Sequence, residues 1–582
     1  MNVRAGRVRE TDDVQPMSRR LFLAGSASIV VTACSGDGDG AAPTTAAPSP
    51  DPTTDSAAAS SSGATDATPD STMSTASTAP TTVPATTTTT LPRVELSSDP
   101  FTLGVASGDP GEGSVVLWTR LAPTPLGDDP STDDAYTADI EVHWVIAADA
   151  GFTDVRADGV ATAEARYAHS VHVAATLEPG DWYYRFETGG YTSPPGMTHA
   201  TPSMSAEPES LRFASASCQH YESGYYTAHA DIADHGLDFV VFLGDYIYEG
   251  GRGVVGEGEE PNVRTHDSDE CRTLDDYRNR YALYKRDPHL QAAHASCPWY
   301  VTWDDHEVEN NYAGTTPQDP VDAAAFVQRR HDAYQAWWEH QPVALPPPPD
   351  DGDYPIYRAA QWGSLLDLVL LDGRQYRSDQ ACTGGTLDFD PACPETFDPA
   401  RSMLGDDQEQ WLTDRLAGAT TVWNVIGQQT VFGDATIGEA VLNYDQWDGY
   451  PVQRDRLVES LAGLAAPNNN VVLTGDIHFA GTGIIRSGGR GTGTPVAVEF
   501  VATSISSGGR INPSVTDVVK GIPDVIDVEL EHRGYIVHTV TAALWSAEYR
   551  MVETVKELDA VVYAHRTYLI DVGTNTVRPS DA

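Results

Sequence analysis

The chain has 582 residues, with 84 acidic and 36 basic side chains that give a formal net charge of −48. This length is too great for one ordinary domain. The acidity excludes a surface that binds nucleic-acid backbones or anionic membranes. It also means that an anionic ligand needs a site with concentrated positive charge, which bound metal ions would supply. The remaining acidity is explained by a solvated surface tuned for solubility.

The first segment, residues 1–34, is interpreted as an export signal. Arg19 and Arg20 precede a short apolar stretch that ends at Cys34 and is too short to span a membrane comfortably. SRRLFL resembles a twin-arginine (Tat) signal, and VTAC resembles a lipobox whose cysteine is lipidated. We therefore expect an exported chain, either secreted or held at the cell surface as a lipoprotein. The alternative is a plain signal peptide that is cleaved near Ala33.

Two segments of different composition follow. Residues 35–97 consist of Ser, Thr, Ala, Pro, Gly and Asp with almost no large apolar side chain, so we expect a disordered tether. In residues 98–205, short alternating strands such as SVVLWTRL and DIEVHWVIA are separated by Gly, Pro and Asp turns. This pattern predicts a small β-sandwich domain. LEPGDWYYRFE resembles a turn of fibronectin-like modules, and we assign this domain no chemistry.

The remainder, residues 206–582, is expected to form one α/β domain. Its first two predicted strands, 211–217 and 237–243, flank a helix, and the second strand is continuously apolar. Such a strand is typical of a sheet that is buried on both faces. In open α/β sheets, ligands bind outside the carboxyl ends of the strands. The side chains at these two strand ends are Cys218, Asp245 and Tyr248.

Two later strands, in segments 299–311 and 469–479, end in the same way. Thiolate, phenolate and imidazole suit a transition metal such as iron, whereas carboxylate and amide oxygens suit a hard ion such as calcium. We therefore expect two unlike metals bridged by Asp245. A lone buried Cys is commonly structural, but here three strand ends repeat the pattern. The two later strands contribute Asp304, Asp305, His306, Asn310, Asn311, Asp476 and His478.

From about Phe101 onward, the chain resembles the PhoD-type alkaline phosphatases and phosphodiesterases of the calcineurin-like metallophosphoesterase superfamily. The resemblance implies a four-layer α/β/β/α sandwich after the β-sandwich domain. It also implies an exported, metal-dependent hydrolase of phosphate mono- or diesters. The motifs that carry the resemblance are SC (217–218), GDYIYE (244–249), WDDHE (303–307), LDGRQYR (371–377), DQWDGYP (445–451) and TGDIH (474–478).

The resemblance further implies two metal sites. Fe(III) is expected on Cys218, Asp245, Tyr248 and His478. Ca(II) is expected on Asp245, Asp305 and Asp476, with Asp304, Asn310 and Asn311 as nearby candidates. A metal-bound hydroxide is then expected to attack phosphorus in an in-line displacement.

Two further residues are candidates for a direct role in catalysis. His306 would protonate the leaving oxygen or orient the phosphate. Alternatively, it would orient Asp305 through a hydrogen bond. Arg374 would clamp the phosphate, because a guanidinium matches phosphate oxygens bidentately. The alternative for Arg374 is a structural ion pair with a nearby Asp.

The rest of the chain continues the α/β alternation. The strand-rich end, 496–572, is expected to complete a second sheet packed on the first. Of the four cysteines outside the signal and the site, we pair Cys271 with Cys297 and Cys382 with Cys393, although three pairings are possible. The other predicted elements are helices at 273–287, 320–340, 406–417 and 451–465 and a strand at 421–428.

Three rival functions stay open. The first is a phospholipase D-like or other phosphodiesterase, because the sequence does not reveal the shape of the pocket. The second is a lipid-anchored binding protein, although every ligand position here has a competent side chain. The third is a structural calcium-binding protein, which would need neither Cys218 nor Tyr248. We expect a monomer that binds a phosphate ester, with no nucleic-acid surface and no membrane contact beyond the lipid anchor.

Overall fold

The computed structural model describes residues 95–122, 134–253, 261–318, 321–350, 352–382, 392–465, 469–509 and 516–580. The predicted export signal, residues 1–34, and nearly all of the predicted tether, residues 35–97, lie outside this part of the chain. Among the described residues, no helix is long and apolar enough to cross a membrane.

The described residues form seven α-helices and 22 β-strands. The helices are α1 (Thr227–Ala233), α2 (Leu274–Lys285), α3 (Pro288–Ser296), α4 (Ala323–His340), α5 (Gly405–Gly418), α6 (Pro451–Ala462) and α7 (Thr516–Lys520). The first strands are β1 (Val105–Gly111), β2 (Ser114–Arg120), β3 (Ile140–Ala147), β4 (Val155–Ala163), β5 (Ser170–Thr176), β6 (Gly180–Thr188), β7 (Tyr191–Thr192) and β8 (Gly196–Ala200). The next are β9 (Leu211–Ala216), β10 (Phe239–Phe242), β11 (Trp299–Val301), β12 (Arg358–Trp362), β13 (Leu366–Leu370), β14 (Trp423–Gly427) and β15 (Asn470–Thr474). The last are β16 (Ala480–Arg486), β17 (Pro495–Val501), β18 (Val525–Glu529), β19 (Arg533–Val540), β20 (Leu544–Val552), β21 (Val562–Asp571) and β22 (Arg578–Pro579).

The larger sheet has ten strands in the order β22-β21-β20-β19-β9-β10-β11-β1-β2-β5. Its central strands β9, β10 and β11 are parallel. Helix α1 connects β9 to β10, since parallel neighbours need a crossover. All four residues of β10 are apolar and buried, as its sequence predicts. The three central strands therefore end at the same edge of the sheet.

The smaller sheet of the α/β part has seven strands in the order β12-β13-β14-β15-β17-β16-β18. Strands β13, β14, β15 and β17 are parallel. An isolated parallel bridge joins Ser217, just after β9, to Ser504, just after β17. This bridge brings the carboxyl edges of the two sheets together.

The two sheets pack face to face around one apolar core, which includes Phe213, Phe239, Leu368 and Val425. Burial of each such side chain contributes about 1.5–3 kcal/mol. Helices α1 to α4 pack on the other face of the ten-stranded sheet, and α5 and α6 pack on the other face of the seven-stranded sheet. The predicted four-layer α/β/β/α sandwich is therefore confirmed.

The N-terminal strands are joined to this sandwich by backbone hydrogen bonding. Strand β1 pairs in parallel with β11, with Gly108 opposite Trp299, so β1, β2 and β5 continue the ten-stranded sheet. Strands β3, β4, β6, β7 and β8 form a separate sheet. Side chains from both sheets, including Leu117, Ile146 and Phe186, share one core. Two sheets therefore pack as a β-sandwich here, and a domain boundary near residue 205 stays a prediction.

The expectation for the strand-rich end is correct only in part. Strand β17 lies in the seven-stranded sheet, but β19, β20 and β21 extend the ten-stranded sheet outward from β9. Val537 of β19 lies opposite Ala214 of β9, and seven of the eight residues of β19 are buried. The sequence-based assignment failed because a strand buried on both faces fits the interior of either sheet.

The cysteine pairing is also correct only in part. Cys382 and Cys393 form the predicted disulfide. Cys271 and Cys297 are free and buried, so the predicted bond between them is wrong. Both lie in the apolar core beneath α1 to α4, and the Cys271 thiol donates to the main-chain oxygen of Asp276 at 3.7 Å. These two thiols behave as small apolar core side chains.

Candidate metal centre

The candidate site lies where four parallel strands end. Cys218 follows β9, Asp245 follows β10, Asp304 and Asp305 follow β11, and Asp476 follows β15. The first three strands belong to one sheet and the last to the other. The loops approach closely, because a Cβ on Gly244 would lie 2.5 Å from the Cβ of Asp304. The carboxyl edges of both sheets thus converge on one group of side chains.

Four of the predicted ligands have left-handed backbone conformations. The φ angles are 59° at Cys218, 56° at Asp245, 64° at Asp476 and 55° at His478. Residues other than glycine rarely adopt this region, and the cost is of order 1–3 kcal/mol each. Such strain clusters at functional sites, where the surrounding structure holds side chains in one orientation.

The predicted iron ligands come together. One oxygen, sulfur or nitrogen atom from each of Cys218, Asp245 and His478 lies within 4.8 Å of the others. The Tyr248 hydroxyl is 2.8 Å from Oδ2 of Asp245 and 3.0 Å from Nε2 of His478. A thiol, a carboxylate, an imidazole and a phenol therefore surround one point. This donor set fits a transition metal.

A second group of donors lies beside the first. Oxygens of Asp304, Asp305 and Asp476 lie within 4.8 Å of one another, and Asp245, Asp305 and His306 form an overlapping group. The overlapping group shares Asp305 with the three carboxylates and Asp245 with the first group. Three carboxylates fit a hard cation such as calcium. The overlapping group therefore links the three carboxylates, through Asp305, to the first group, through Asp245.

The electrostatics of these groups also fit bound cations. Oδ1 of Asp245 and Oδ2 of Asp304 are buried and have no hydrogen-bond partner among the described residues. Burial raises the pKa of Asp245 and Asp476 well above the usual range, and neighbouring carboxylates raise both further. Burial likewise raises the pKa of the Cys218 thiol. Buried carboxylates with unpartnered oxygens are stable as anions only beside a compensating positive charge.

Hydrogen bonds hold both imidazoles in place. Nδ1 of His478 lies 2.6 Å from the main-chain oxygen of Gly508, and Nδ1 of His306 lies 2.7 Å from the Glu249 carboxylate. A metal-binding His commonly donates its other ring N–H to a carbonyl or carboxylate in this way. Ser507 donates to the Tyr248 hydroxyl at 2.8 Å. The ring orientations are therefore set by the surrounding chain.

Arg374 lies at the centre of the carboxylates. Its guanidinium is fully buried, is paired with Asp304 and lies 2.8 Å from Oδ2 of Asp445. Asp476 and Asp305 are 3.6 Å and 3.8 Å away. Burial raises the pKa of Asp304 to about 6, although Arg374 opposes the shift. Arg374 thus supplies a fixed positive charge among these acidic side chains, and Arg377 supplies another beside Asp445.

Asn310 has a different environment from the other predicted ligands. Its side-chain amide donates to Gln318, and its main-chain N–H donates to Glu249 at 2.8 Å. The neighbouring Asn311 donates its main-chain N–H to Oδ2 of Asp305 at 2.7 Å. The asparagines thus contact groups next to the carboxylates, and the ligand role of Asn310 stays a prediction.

Three residues at the site were given no role by the sequence reasoning. Glu307 accepts main-chain hydrogen bonds from Asp245 and Asp304. Asp445 pairs with Arg374, and Gln446 donates to Oδ2 of Asp476. Glu307 belongs to WDDHE, and the other two begin DQWDGYP. Membership of these motifs is the signal that could have identified them.

Comparison with known proteins identifies the family. The sequence matches the PhoD-like phosphatase family over residues 213–549 and the PhoD-like phosphatase N-terminal domain over residues 85–202. Alkaline phosphatase D of Bacillus subtilis (strain 168) is 43% identical over 481 residues, covering 81% of each chain. A solved structure of PhoD aligns with a TM-score of 0.79 and 42% identity, over 84% of this chain and 94% of that one. The chain therefore belongs to the PhoD-like phosphatase family and is a phosphoric ester hydrolase.

Proposed function

We propose that the chain is an exported, metal-dependent hydrolase of phosphate mono- or diesters. The observation that carries the proposal is that two unlike donor groups lie side by side and are linked through Asp245 and Asp305, with buried carboxylate oxygens that have no hydrogen-bond partner among the described residues. In this proposal, Fe(III) is held by Cys218, Asp245, Tyr248 and His478. Ca(II) is held by Asp245, Asp305 and Asp476, with Asp304 and Asn310 as further candidates.

The two metals would supply positive charge for the phosphate oxygens and an activated water for in-line displacement. The remaining chemistry falls to side chains of this chain. We assign His306 to the leaving oxygen, where its imidazole delivers a proton. Its Nδ1 is held 2.7 Å from the Glu249 carboxylate, which orients the ring. Orientation of Asp305 by His306 is the alternative role.

Arg374 has two candidate roles in this proposal. As a phosphate clamp it would direct its guanidinium to the substrate oxygens. As an ion-pair partner it would hold the carboxylates of Asp304 and Asp445 in place. Its complete burial and its contacts with Asp304 and Asp445 support the second role. The two roles predict different effects of removing the guanidinium: a raised KM for a phosphate clamp, and a loss of stability for an ion-pair partner.

Export rests on residues 1–34. The twin-arginine pattern and Cys34 support a cell-surface lipoprotein or a secreted protein. Twin-arginine export carries folded proteins, which suits an enzyme that acquires its metals before it leaves the cytoplasm. A lipid on Cys34 would be the membrane contact of a monomeric enzyme.

Metal analysis combined with activity tests the proposal. We expect the purified protein to contain iron and calcium, to absorb visible light and to hydrolyse p-nitrophenyl phosphate or bis-p-nitrophenyl phosphate when calcium is added. Cys218→Ala should abolish the iron, the colour and the turnover. Cys297→Ala is the matched control, since it removes another buried free thiol from a helix-packed core. A colourless protein that hydrolyses neither of the two esters would contradict the proposal and favour a binding function.

A further inference from the structure

A cavity of about 570 Å³ lies beside the metal centre. It lies between strands β16, β17 and β18 of the seven-stranded sheet on one side and helices α6 and α7 on the other. Its size is in the range of cavities that enclose most of a small organic ligand, about 300–1,000 Å³. None of the predicted metal donors lines the cavity, although residues next to them in the chain do. The cavity is therefore a separate space next to the site.

The lining of the cavity is mostly apolar. Each of the three arginines that line it is paired with a lining aspartate: Arg454 with Asp448, Arg486 with Asp524 at 2.6 Å, and Arg490 with Asp434 at 3.7 Å. Acidic side chains outnumber these arginines, because Asp455, Glu459 and Glu499 also line the cavity. An anionic group entering the cavity would lose its hydration without gaining an uncommitted cation. The main apolar lining residues are Ile477, Phe479, Ile485, Val501, Ile522 and Val528.

Two glycines on one face of β16 help to create the space. A Cβ on Gly481 would lie 3.4 Å from Val501, and a Cβ on Gly483 would meet only the main-chain oxygen of Asp524, at 3.6 Å. Both are ordinary contact distances, so the backbone itself does not require glycine at either position. A strand that carried large side chains at these alternate positions would fill the cavity instead.

The cavity is connected to the metal centre by two residues. Ile477 lines the cavity and lies between Asp476 and His478 in the chain. Gln446 also lines the cavity, and its side-chain amide donates to Oδ2 of Asp476. These two residues place the apolar cavity directly next to the metal centre.

We propose that this cavity binds an unbranched alkyl substituent of a phosphate ester whose phosphate occupies the metal centre. The inference rests on the proposed function, because it takes the metal centre as the phosphate site. Burial of one methylene group is worth about 0.8 kcal/mol, or roughly four-fold in affinity. The cavity would thus select alkyl esters over esters with small or anionic substituents.

Alkyl phosphonates test this without turnover. Titration calorimetry on the metal-loaded protein would compare methylphosphonate with hexylphosphonate, which differ by five methylene groups. We expect hexylphosphonate to bind at least about 100-fold more tightly. In Gly483→Phe, the added ring fills the cavity, and the ratio of the two affinities should fall below about five-fold. Gly418→Phe, at an exposed helix end where a Cβ meets no atom within 4 Å, should keep the wild-type ratio.

The failure of this inference can be distinguished from the failure of the proposed function. If the wild-type protein hydrolyses p-nitrophenyl phosphate but binds both phosphonates equally, the proposed function holds and the alkyl site is wrong. If it neither hydrolyses the ester nor binds either phosphonate, both are wrong. The wild-type comparison needs no variant, so the inference stays testable even if Gly483→Phe misfolds. If Gly483→Phe folds and keeps the full wild-type ratio of affinities, the alkyl group does not bind in this cavity and the inference is wrong.

Discussion

The carboxylate of Glu307 accepts a 3.0 Å hydrogen bond from the main-chain N–H of Asp245, which belongs to the donor group of Cys218 and His478 and to that of Asp305 and His306. The same carboxylate accepts from the main-chain N–H groups of Tyr246 at 2.6 Å and Asp304 at 2.8 Å. One side chain therefore holds the loops after β10 and β11 together. Glu307 is buried and its side chain points to the backbone, so it acts by positioning the ligands.

Glu307→Gln should weaken metal binding. The amide keeps the shape of the carboxylate but turns an NH₂ group toward main-chain N–H donors, which leaves at least one of them unsatisfied. Loss of a partner that orients metal ligands typically costs 10–100-fold in metal affinity or activity. We expect the apparent metal affinity to fall by this factor when kcat/KM is followed during a metal titration. The control is Glu339→Gln, a buried carboxylate of α4 that pairs with Arg278; equal losses in both variants would indicate general destabilisation.

Tyr248→Phe should remove the colour of the iron form. The hydroxyl of Tyr248 is the phenol oxygen closest to Asp245 and His478 in the first donor group, so its phenolate would give a visible charge-transfer band with Fe(III). We expect the band to disappear or shift and kcat to fall about 10- to 100-fold. Tyr246→Phe is the matched control, because that hydroxyl instead contacts His294 at 2.7 Å. An unchanged spectrum in Tyr248→Phe would exclude the tyrosine as an iron ligand.

The sequence predicted which side chains follow the strand ends better than it predicted the order of the strands in the sheets. Residues at strand ends could be placed because a continuously apolar strand followed by Gly-Asp constrains where the next side chains lie. The membership of β19 could not be predicted, since its pairing with β9 joins residues more than 300 positions apart. The free state of Cys271 also depends on packing, because an even number of cysteines says nothing about which thiols approach each other.

The role of Glu307 illustrates the same limit at the site. WDDHE presents four polar side chains in succession, and its letters do not state which ones face the metals. The structure separates them, because Asp305 and His306 join the donor groups whereas Glu307 turns to the main chain. That division depends on the turn after β11, which the spacing of residues does not specify.

Arg374→Met distinguishes the two roles of this arginine. If Arg374 mainly holds Asp304 and Asp445, removing it leaves the buried Asp304 without its ion-pair partner, whereas Asp445 keeps Arg377. Breaking a buried pair in this way typically costs about 3–5 kcal/mol of stability. We expect a loss of about 3 kcal/mol in the free energy of unfolding by urea. Arg456→Met removes the exposed pair with Glu409 and should cost less than about 1 kcal/mol. Unchanged stability together with a raised KM for phosphate esters would instead identify a phosphate clamp.

Acid should destabilise the fold in part through His538, which lies between the two sheets and far along the chain from the metal ligands. Its Nε2 is 2.9 Å from the hydroxyl of Ser215, and its Nδ1 accepts from the indole N–H of Trp545 at 3.1 Å. Burial lowers the pKa of His538 from 6.5 to about 3. Between these values the unfolded chain binds a proton that the folded chain does not. The contribution of neutral His538 to the free energy of unfolding is therefore fully present above about pH 6.5, and it is lost progressively as the pH is lowered toward 3.

Each such histidine contributes about 1.4 kcal/mol per pH unit in this window. Between pH 7 and pH 5, urea unfolding should therefore show about 2 kcal/mol less loss of stability in His538→Gln than in the wild-type protein. The variant should be less stable at pH 7, because its amide fits the contacts with Ser215 and Trp545 less well. His143→Gln, at an exposed position on β3, is the matched control. Parallel pH curves for wild type and His538→Gln would show that His538 is protonated equally in the folded and unfolded states.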